Sequence, residues 1–352
     1  MNRYILTFDY ELFGSGKGDV IRHLVEPTYK ILRLLSLLDI KATFFVEQLE
    51  VDAIIDLKHE FPVGSKEYND AISLEQQLTK MVVAGHDIQL HLHPQWYQAK
   101  YSNKRWYLNF QWWRFSSLPN KASNSQEPSK VTLLAQGKAS LENFIRKIKR
   151  SYTCNAFRAG GYNIGTDKET ITALLSSGFK LDSSICPGYL CTQGLSQYDY
   201  TGAPLNRSYW LSDTSLNIPK SNQTNAIASI IELPLLTAKS NLVSKISIAR
   251  LFNAIRNRSF KAISYKSNTR INTQVERSKA NTNFDVCLAS FTEIRKFNKK
   301  ISALDNSQDN VITLIGHPKD FNFFSPMERI LSKIPSSEFI TTADIVAQVE
   351  NV

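Results

Sequence analysis

YILTFDYELFGSGKGDVIRHLVEPTYKILRLLSLLDIKATFFVE, residues 4–47, contains the pattern that decides the fold. YILTF (4–8) is a short run rich in aromatic and aliphatic residues, as expected of a buried strand. A glycine-rich loop interrupts it. From 27 to 38 the apolar side chains Ile31, Leu34, Leu35 and Leu38 fall at helical spacing, and KATFFVE (41–47) returns to a strand. Working outward, residues 73–84 read as a helix beginning at Ser73 and HDIQLHL (86–92) as a third strand. Further helices are expected at 131–150, 167–177, 288–299, 326–334 and 342–349, with strands at 155–159, 179–182, 229–235, 311–316 and 338–341. Strands alternating with helices predict an α/β fold with a parallel sheet, either open and doubly wound or closed as a barrel. The polar stretches 116–130 and 217–227 read as surface loops.

Composition narrows the class. The 352 residues, 42% hydrophobic and 21% charged, are those of an ordinary globular chain rather than a disordered one. The net charge of +10 is concentrated between 236 and 300, where fourteen lysines and arginines face only Glu276, Asp285 and Glu293. Such a segment suits an anionic membrane surface, a nucleotide-linked sugar or a lipid-linked phosphate, and serves equally as a solubilising face. Nucleic acid is the least favoured partner, because the aromatic and basic residues occupy different stretches. Cys154, Cys186, Cys191 and Cys287 show no CxxC spacing and read as reduced thiols. The N-terminus meets charged residues too early for a secretory signal, and no apolar run reaches 18 residues. The expectation is a cytoplasmic protein, able to touch the inner face of the membrane but not to cross it.

The chemistry gathers at strand ends. Asp9 and Glu11 follow the first strand at a spacing of two, and alternation puts both carboxylates on one side. His91 and His93 in GHDIQLHLHPQWY (85–97) follow the same rule, whereas His86 is out of phase with them and reads as structural. Two imidazoles and a carboxylate with an open position form the ligand set of a catalytic zinc. Each feature alone is an ordinary strand end; together they point to a metal-assisted site.

TFDYE, KATFFV, GHDIQLHLH, FRAGGY, LDSSI, IIELP and LIGHP occur in the order and at the approximate intervals of the polysaccharide deacetylases, the NodB-homology or carbohydrate esterase family 4 group, which the chain resembles from about residue 4 to residue 320. The resemblance implies one catalytic domain over 1–352, folded as a distorted (β/α)7-type barrel, with an aromatic-rich insertion at 96–130 and a basic insertion or subdomain at 236–300. It implies a metal-dependent hydrolase that removes an N-acyl group, usually acetyl, from an amino sugar. Asp9 matches the general base, Arg158 the residue that orients it, and His317 the general acid. Tyr10 stands where many members carry the metal-binding aspartate, which makes Glu11 the replacement, and Gln95 stands where a second histidine is usual, which makes His93 the second ligand beside His91. The cofactor implied is a divalent ion, most simply Zn²⁺. Gly161 and Tyr162, with a backbone N–H near Gly160, are placed at the substrate, as are Asp182 beneath the site and Trp96 and Trp210 at its rim.

The function read from these residues is de-N-acylation of a cell-surface polysaccharide or its lipid- or nucleotide-linked precursor. Two alternatives stand: a hydrolase of a non-sugar C–N bond, and a non-catalytic carbohydrate-binding relative.

Overall fold

The computed structural model describes residues 2–124, 126–221, 228–261, 281–304 and 309–350. Its centre is a curled, mixed α/β arrangement. Strands β1 (Asn2–Tyr10), β2 (Thr43–Glu47), β3 (Asp87–Leu92), β4 (Ala156–Ala159), β5 (Leu181–Asp182), β6 (Trp210–Ser212), β7 (Ile230–Glu232), β8 (Asn310–Gly316) and β9 (Phe339–Ile340) form one sheet. The spatial order is β6-β7-β5-β4-β3-β2-β1-β8, parallel throughout except for the β6·β7 pair. β9 pairs with Tyr4 and Ile5 at the start of β1, while β2 pairs further along, from Thr7 to Tyr10. Seven parallel strands, β7 to β8, thus make a half-barrel. No regular ladder joins β7 to β8 among the described residues. The gap is bridged singly: Leu236 N–H donates to Thr313 O (3.0 Å), and Ile315 trades hydrogen bonds with Phe284 and Val286.

Alternation along each strand separates two apolar layers. One side of the strands, with Leu6, Phe8, Phe44, Val46, Leu90 and Phe157, packs in the larger core beneath the helices. The other side forms a smaller core inside the curl, where Ile5, Phe45, Ala156, Leu181, Ile231 and Val311 are plugged by Ile345 and Val346 of the last helix (Thr342–Glu350). Burying each such aliphatic contributes about 1.5–3 kcal/mol relative to exposure. Along β1 this inner row runs Ile5, Thr7, Asp9, so the interior passes from apolar at the strand N-termini to charged at the C-terminal ends. Parallel strands place their sites at that end.

Helices surround the sheet: α1 (Glu26–Leu37), α2 (Gln48–Glu60), α3 (Lys66–Val83), α4 (Lys130–Ile145), α5 (Lys168–Ser176), α6 (Ile248–Arg256) and α7 (Phe291–Ser302). Three differ from expectation: α2 and α6, where the sequence predicts no helix, and α3. α3 begins a full two turns before Ser73, because Ser65 is the residue that caps it, accepting from Tyr68 N–H, whereas the Ser73 hydroxyl donates back to Asn69 O inside the helix. α2 was not anticipated. It follows β2 with no loop, because the Glu47 carboxylate that ends the strand also caps the helix by accepting Glu50 N–H.

The aromatic stretch 96–130 contains a short hairpin, Lys100–Ser102 with Arg105–Tyr107, and single 3₁₀ turns. The basic stretch 236–300 supplies a hairpin (Thr237–Lys239 with Asn281–Asn283), α6 and most of α7; its residues 262–280 lie outside the described ones.

Candidate active site

β1 delivers Asp9 at its C-terminal end, with Glu11 just beyond it; Tyr10 between them points the other way, its hydroxyl donating to Gln77 Oε1 of α3. Asp9 is 3% exposed, yet three groups address it. Arg158 Nη1 of β4 donates to Asp9 Oδ1 (2.7 Å), and His317 Nε2, one residue past β8, lies 3.5 Å from Oδ2. The guanidinium is itself held by Ser183 O, Ser183 Oγ and Thr7 Oγ1, and it stacks over the Phe45 ring at 4.2 Å. Burial alone would raise the Asp9 carboxyl, but Arg158 and the neighbouring His91 and His317 outweigh it and hold Asp9 ionised, well below the usual carboxylate range.

His317 ends β8 between two carboxylates, with Asp285 Oδ2 3.5 Å from Nδ1 and Asp9 beyond Nε2. Burial disfavours the imidazolium, but the two flanking carboxylates prevail and push His317 up to about 10. At 16% side-chain exposure it is the most open member of the group. A paired base and acid whose environments drive their pKa values apart is the signature of acid–base chemistry.

The second cluster adjoins the first. Glu11 Oε2 lies 2.6 Å from His93 Nε2 and 3.5 Å from His91 Nε2, and a ligand atom from each of the three falls within 4.8 Å of the other two. All three residues are buried. His91 Nε2 is buried without a hydrogen-bond partner, and His93 Nε2 has only Glu11 Oε2 beside it, an arrangement that an ion between the three would satisfy. The outer contacts fit as well. His91 Nδ1 lies 2.8 Å from Arg158 O, which fixes the proton on Nδ1 and leaves the Nε2 lone pair free. His93 is seated from the backbone, its N–H donating to Glu47 Oε1 (2.8 Å), and its ring packs edge-on against Trp113. Its Nδ1 lies 3.1 Å from the Gln95 side-chain nitrogen, while Gln95 Oε1 is buried with no partner. A metal-ligating His93 needs an acceptor at Nδ1; rotating that amide by 180° supplies Oε1 and gives up the bond its nitrogen makes to Gly14 O (3.3 Å). The chain's own cation at the site is Lys319, whose Nζ donates to Glu11 Oε1 and to Leu12 O, both at 2.6 Å, leaving Oε2 toward the histidines. Burial raises the Glu11 carboxyl, but Lys319 and His93 outweigh it and Glu11 stays ionised. The donor set Glu11, His91 and His93 therefore suits a divalent ion of the zinc type.

Gly160 and Gly161 turn the chain at the end of β4. A Cβ on Gly160 would sit 2.5 Å from His93 Cγ, so the backbone passes against the ring only because the side chain is absent. Gly161 (φ 56°) and Tyr162 (φ 63°) are both left-handed, a conformation that a tyrosine rarely adopts; neighbours pin it, with Asn283 Nδ2 donating to the Tyr162 hydroxyl and the Tyr200 hydroxyl donating to Tyr162 O.

Three residues expected at the substrate lie in the interior. Trp96 is 2% exposed and packed against Trp106, and Trp210 is fully buried with Nε1 donating to Leu216 O, so both are core side chains rather than rim. Asp182 is also sealed: Ser184 N–H and Oγ donate to its oxygens, and it lies beside Glu232 in the β5·β7 pair. Burial pushes Asp182 up to about 6 and Glu232 well above the usual range, as expected of neighbouring carboxyls that share a proton. The indole beside the histidines is Trp113, its Nε1 donating to Ser196 Oγ. Asp285, Lys319 and Glu47 complete the site without having been singled out. His86 accepts from Ala42 N–H, the structural position expected for it.

No protein-family model matches the chain, and no curated protein sequence matches it. Its structural neighbours include a polysaccharide deacetylase, an allantoinase and family 4 carbohydrate esterases. A Mycobacterium smegmatis protein assigned as a polysaccharide deacetylase is 11% identical, with 98% of this chain and 90% of that one covered at a TM-score of 0.43. The Puue allantoinase is 10% identical over 100% and 91% at 0.44, and the family 4 carbohydrate esterase of Streptomyces lividans, solved with acetate, is 11% identical over 96% and 91% at 0.36.

Proposed function

We propose that this chain is a metal-dependent hydrolase that removes an N-acyl group, most simply acetyl, from an amino sugar carried by a cell-surface polysaccharide or its lipid- or nucleotide-linked precursor. One observation carries the reading: Asp9, bound by Arg158, and His317, set between two carboxylates, stand beside two buried imidazole nitrogens that converge on Glu11. A zinc-type ion, when held by Glu11, His91 and His93, supplies a Lewis acid that polarises the amide carbonyl and acidifies water.

The chain's own groups supply the proton transfers. Asp9, kept as a carboxylate by Arg158, takes the proton of the attacking water. His317, kept as an imidazolium between Asp9 and Asp285, gives its proton to the departing amine, which must leave as a neutral group. Backbone N–H groups of the left-handed Gly161–Tyr162 turn are the candidate donors to the oxyanion, and Trp113 offers a ring face for a sugar. Catalysis on the cytoplasmic side, within one domain spanning 1–352, belongs to the same reading.

A second reading is favoured by Lys319, which already sets a cation on Glu11: a glycan-binding relative that hydrolyses nothing. Elemental analysis of purified protein beside His91→Ala, followed by an amine-release assay on N-acetylated amino sugars, separates them. About one bound ion that His91→Ala loses, together with released amine, supports the hydrolase. A protein that stays metal-free after incubation with zinc, cobalt or manganese refutes it.

A further inference from the structure

Helix α6 (Ile248–Arg256) is turned inside out. Its buried residues are a small one, Ala249, and a polar one, Asn253: Asn253 Nδ2 donates to Asp320 O (2.6 Å), and Asn322 Nδ2 donates to Asn253 Oδ1 (3.1 Å). Its apolar residues Ile248, Leu251, Phe252 and Ile255 recur at i, i+3, i+4 and i+7, so they form one stripe, and all four face solvent, at 66, 63, 41 and 74% exposure. The neighbouring segment extends the stripe with exposed Leu242, Val243 and Ile246, and the loop after the 318–320 turn adds Phe323 and Phe324. Scattered exposed hydrophobics need no explanation, but a contiguous set of large ones marks a contact surface.

Charge identifies what covers it. From 236 to 261 the chain has six lysines and arginines and no acid. Beside the stripe, a cavity of about 760 Å³ is lined by Arg22, Lys30, Arg33 and Arg256 together with Phe252 and Phe323; Glu26 and Glu328 are its acidic lining residues. An apolar helical face with a cationic margin is the pattern of a helix that lies in the interface of an anionic bilayer. Among the described residues no helix is long and apolar enough to cross a membrane, so the contact is peripheral.

We propose that α6, the 242–246 segment and the Phe323–Phe324 loop form a docking face for anionic phospholipid. The face is tied to the site: Arg256 Nη2 donates to Lys319 O, and Lys319 Nζ holds Glu11. Docking stands whether or not the chain hydrolyses anything; if it does, the attachment favours the lipid-linked class of substrate.

The test uses the full chain and sedimentation with vesicles of phosphatidylcholine alone or with phosphatidylglycerol at a ratio of about seven to three. Binding to the anionic vesicles should be at least about tenfold stronger and should weaken as salt rises. Leu251→Glu with Ile255→Glu should reduce it at least about tenfold with the unfolding midpoint unchanged, since both side chains are in solvent. Phe252→Trp should be quenched by brominated lipid. Absence of sedimentation with either vesicle overturns the proposal, as does a Leu251→Glu/Ile255→Glu protein that binds like wild type. A wild type that ignores vesicles but is a dimer, converted to monomer by the same pair of substitutions, would overturn it in favour of a second copy of this chain.

Discussion

Replacing Arg158 by Met tests whether Asp9 is a buried carboxylate held by charge. The guanidinium is 0% exposed and donates to Asp9, Thr7 and both oxygens of Ser183. Removing it leaves Asp9 with His317 at 3.5 Å as its remaining cation, and breaking a buried pair on one side costs about 3–5 kcal/mol. Asp9→Asn should cost a similar amount, because it strands the arginine. The double variant buries neither charge, so it should be no less stable than the worse single variant, giving a coupling of about 3 kcal/mol. Guanidinium unfolding with unchanged m-values measures all four corners. The pH dependence has a definite sign. Asp9 is depressed in the folded state, so its contribution is present above about pH 4 and is lost as pH falls below that toward the folded value. In Arg158→Met the folded value rises toward the unfolded one, so this acid-side loss should shrink or vanish. Additivity within about 0.5 kcal/mol would show that the two groups do not hold each other, and the base assignment would fall with them.

Glu11→Gln and His93→Ala should each abolish binding of a zinc-type ion in calorimetric titration while leaving a cooperative thermal transition. Gly160→Ala forces the His93 ring away from the new methyl group, and metal affinity should fall about 10–100-fold, the loss typical when a ligand loses its orientation; unchanged affinity would show that His93 is not a ligand. His317 is raised to about 10 from an unfolded value of about 6.5, so its stabilisation is complete below about pH 6.5 and is lost as pH rises to about 10. The stability difference between wild type and His317→Gln should therefore shrink across that window, and Asp285→Asn should lower its upper edge; a difference independent of pH would contradict the pairing with Asp9 and Asp285.

The parts of this site that could be read from the sequence are those governed by local alternation. Asp9 with Glu11, and His91 with His93, share a side because strand geometry has a period of two, and the same rule sends Tyr10 outward to Gln77. The parts that could not be read depend on topology. Lys319 reaches Glu11 across about 300 residues because β8 pairs with β1, and Asp285 meets His317 rather than any residue of β1; nothing near either residue announces it. The aromatic run marks an insertion but not which rings face inward, so Trp96 is core while Trp113 meets the histidine. Gln95 shows best how position changes meaning. In the sequence it is a histidine lost from a ligand set. In the fold it lies on the Nδ1 side of His93, away from Glu11, where an amide can accept the proton that a ligating imidazole must place there. On the proposed reading, the strand-end pair His91 and His93 with Glu11 holds the metal, and Gln95 orients one of the ligands instead of being one.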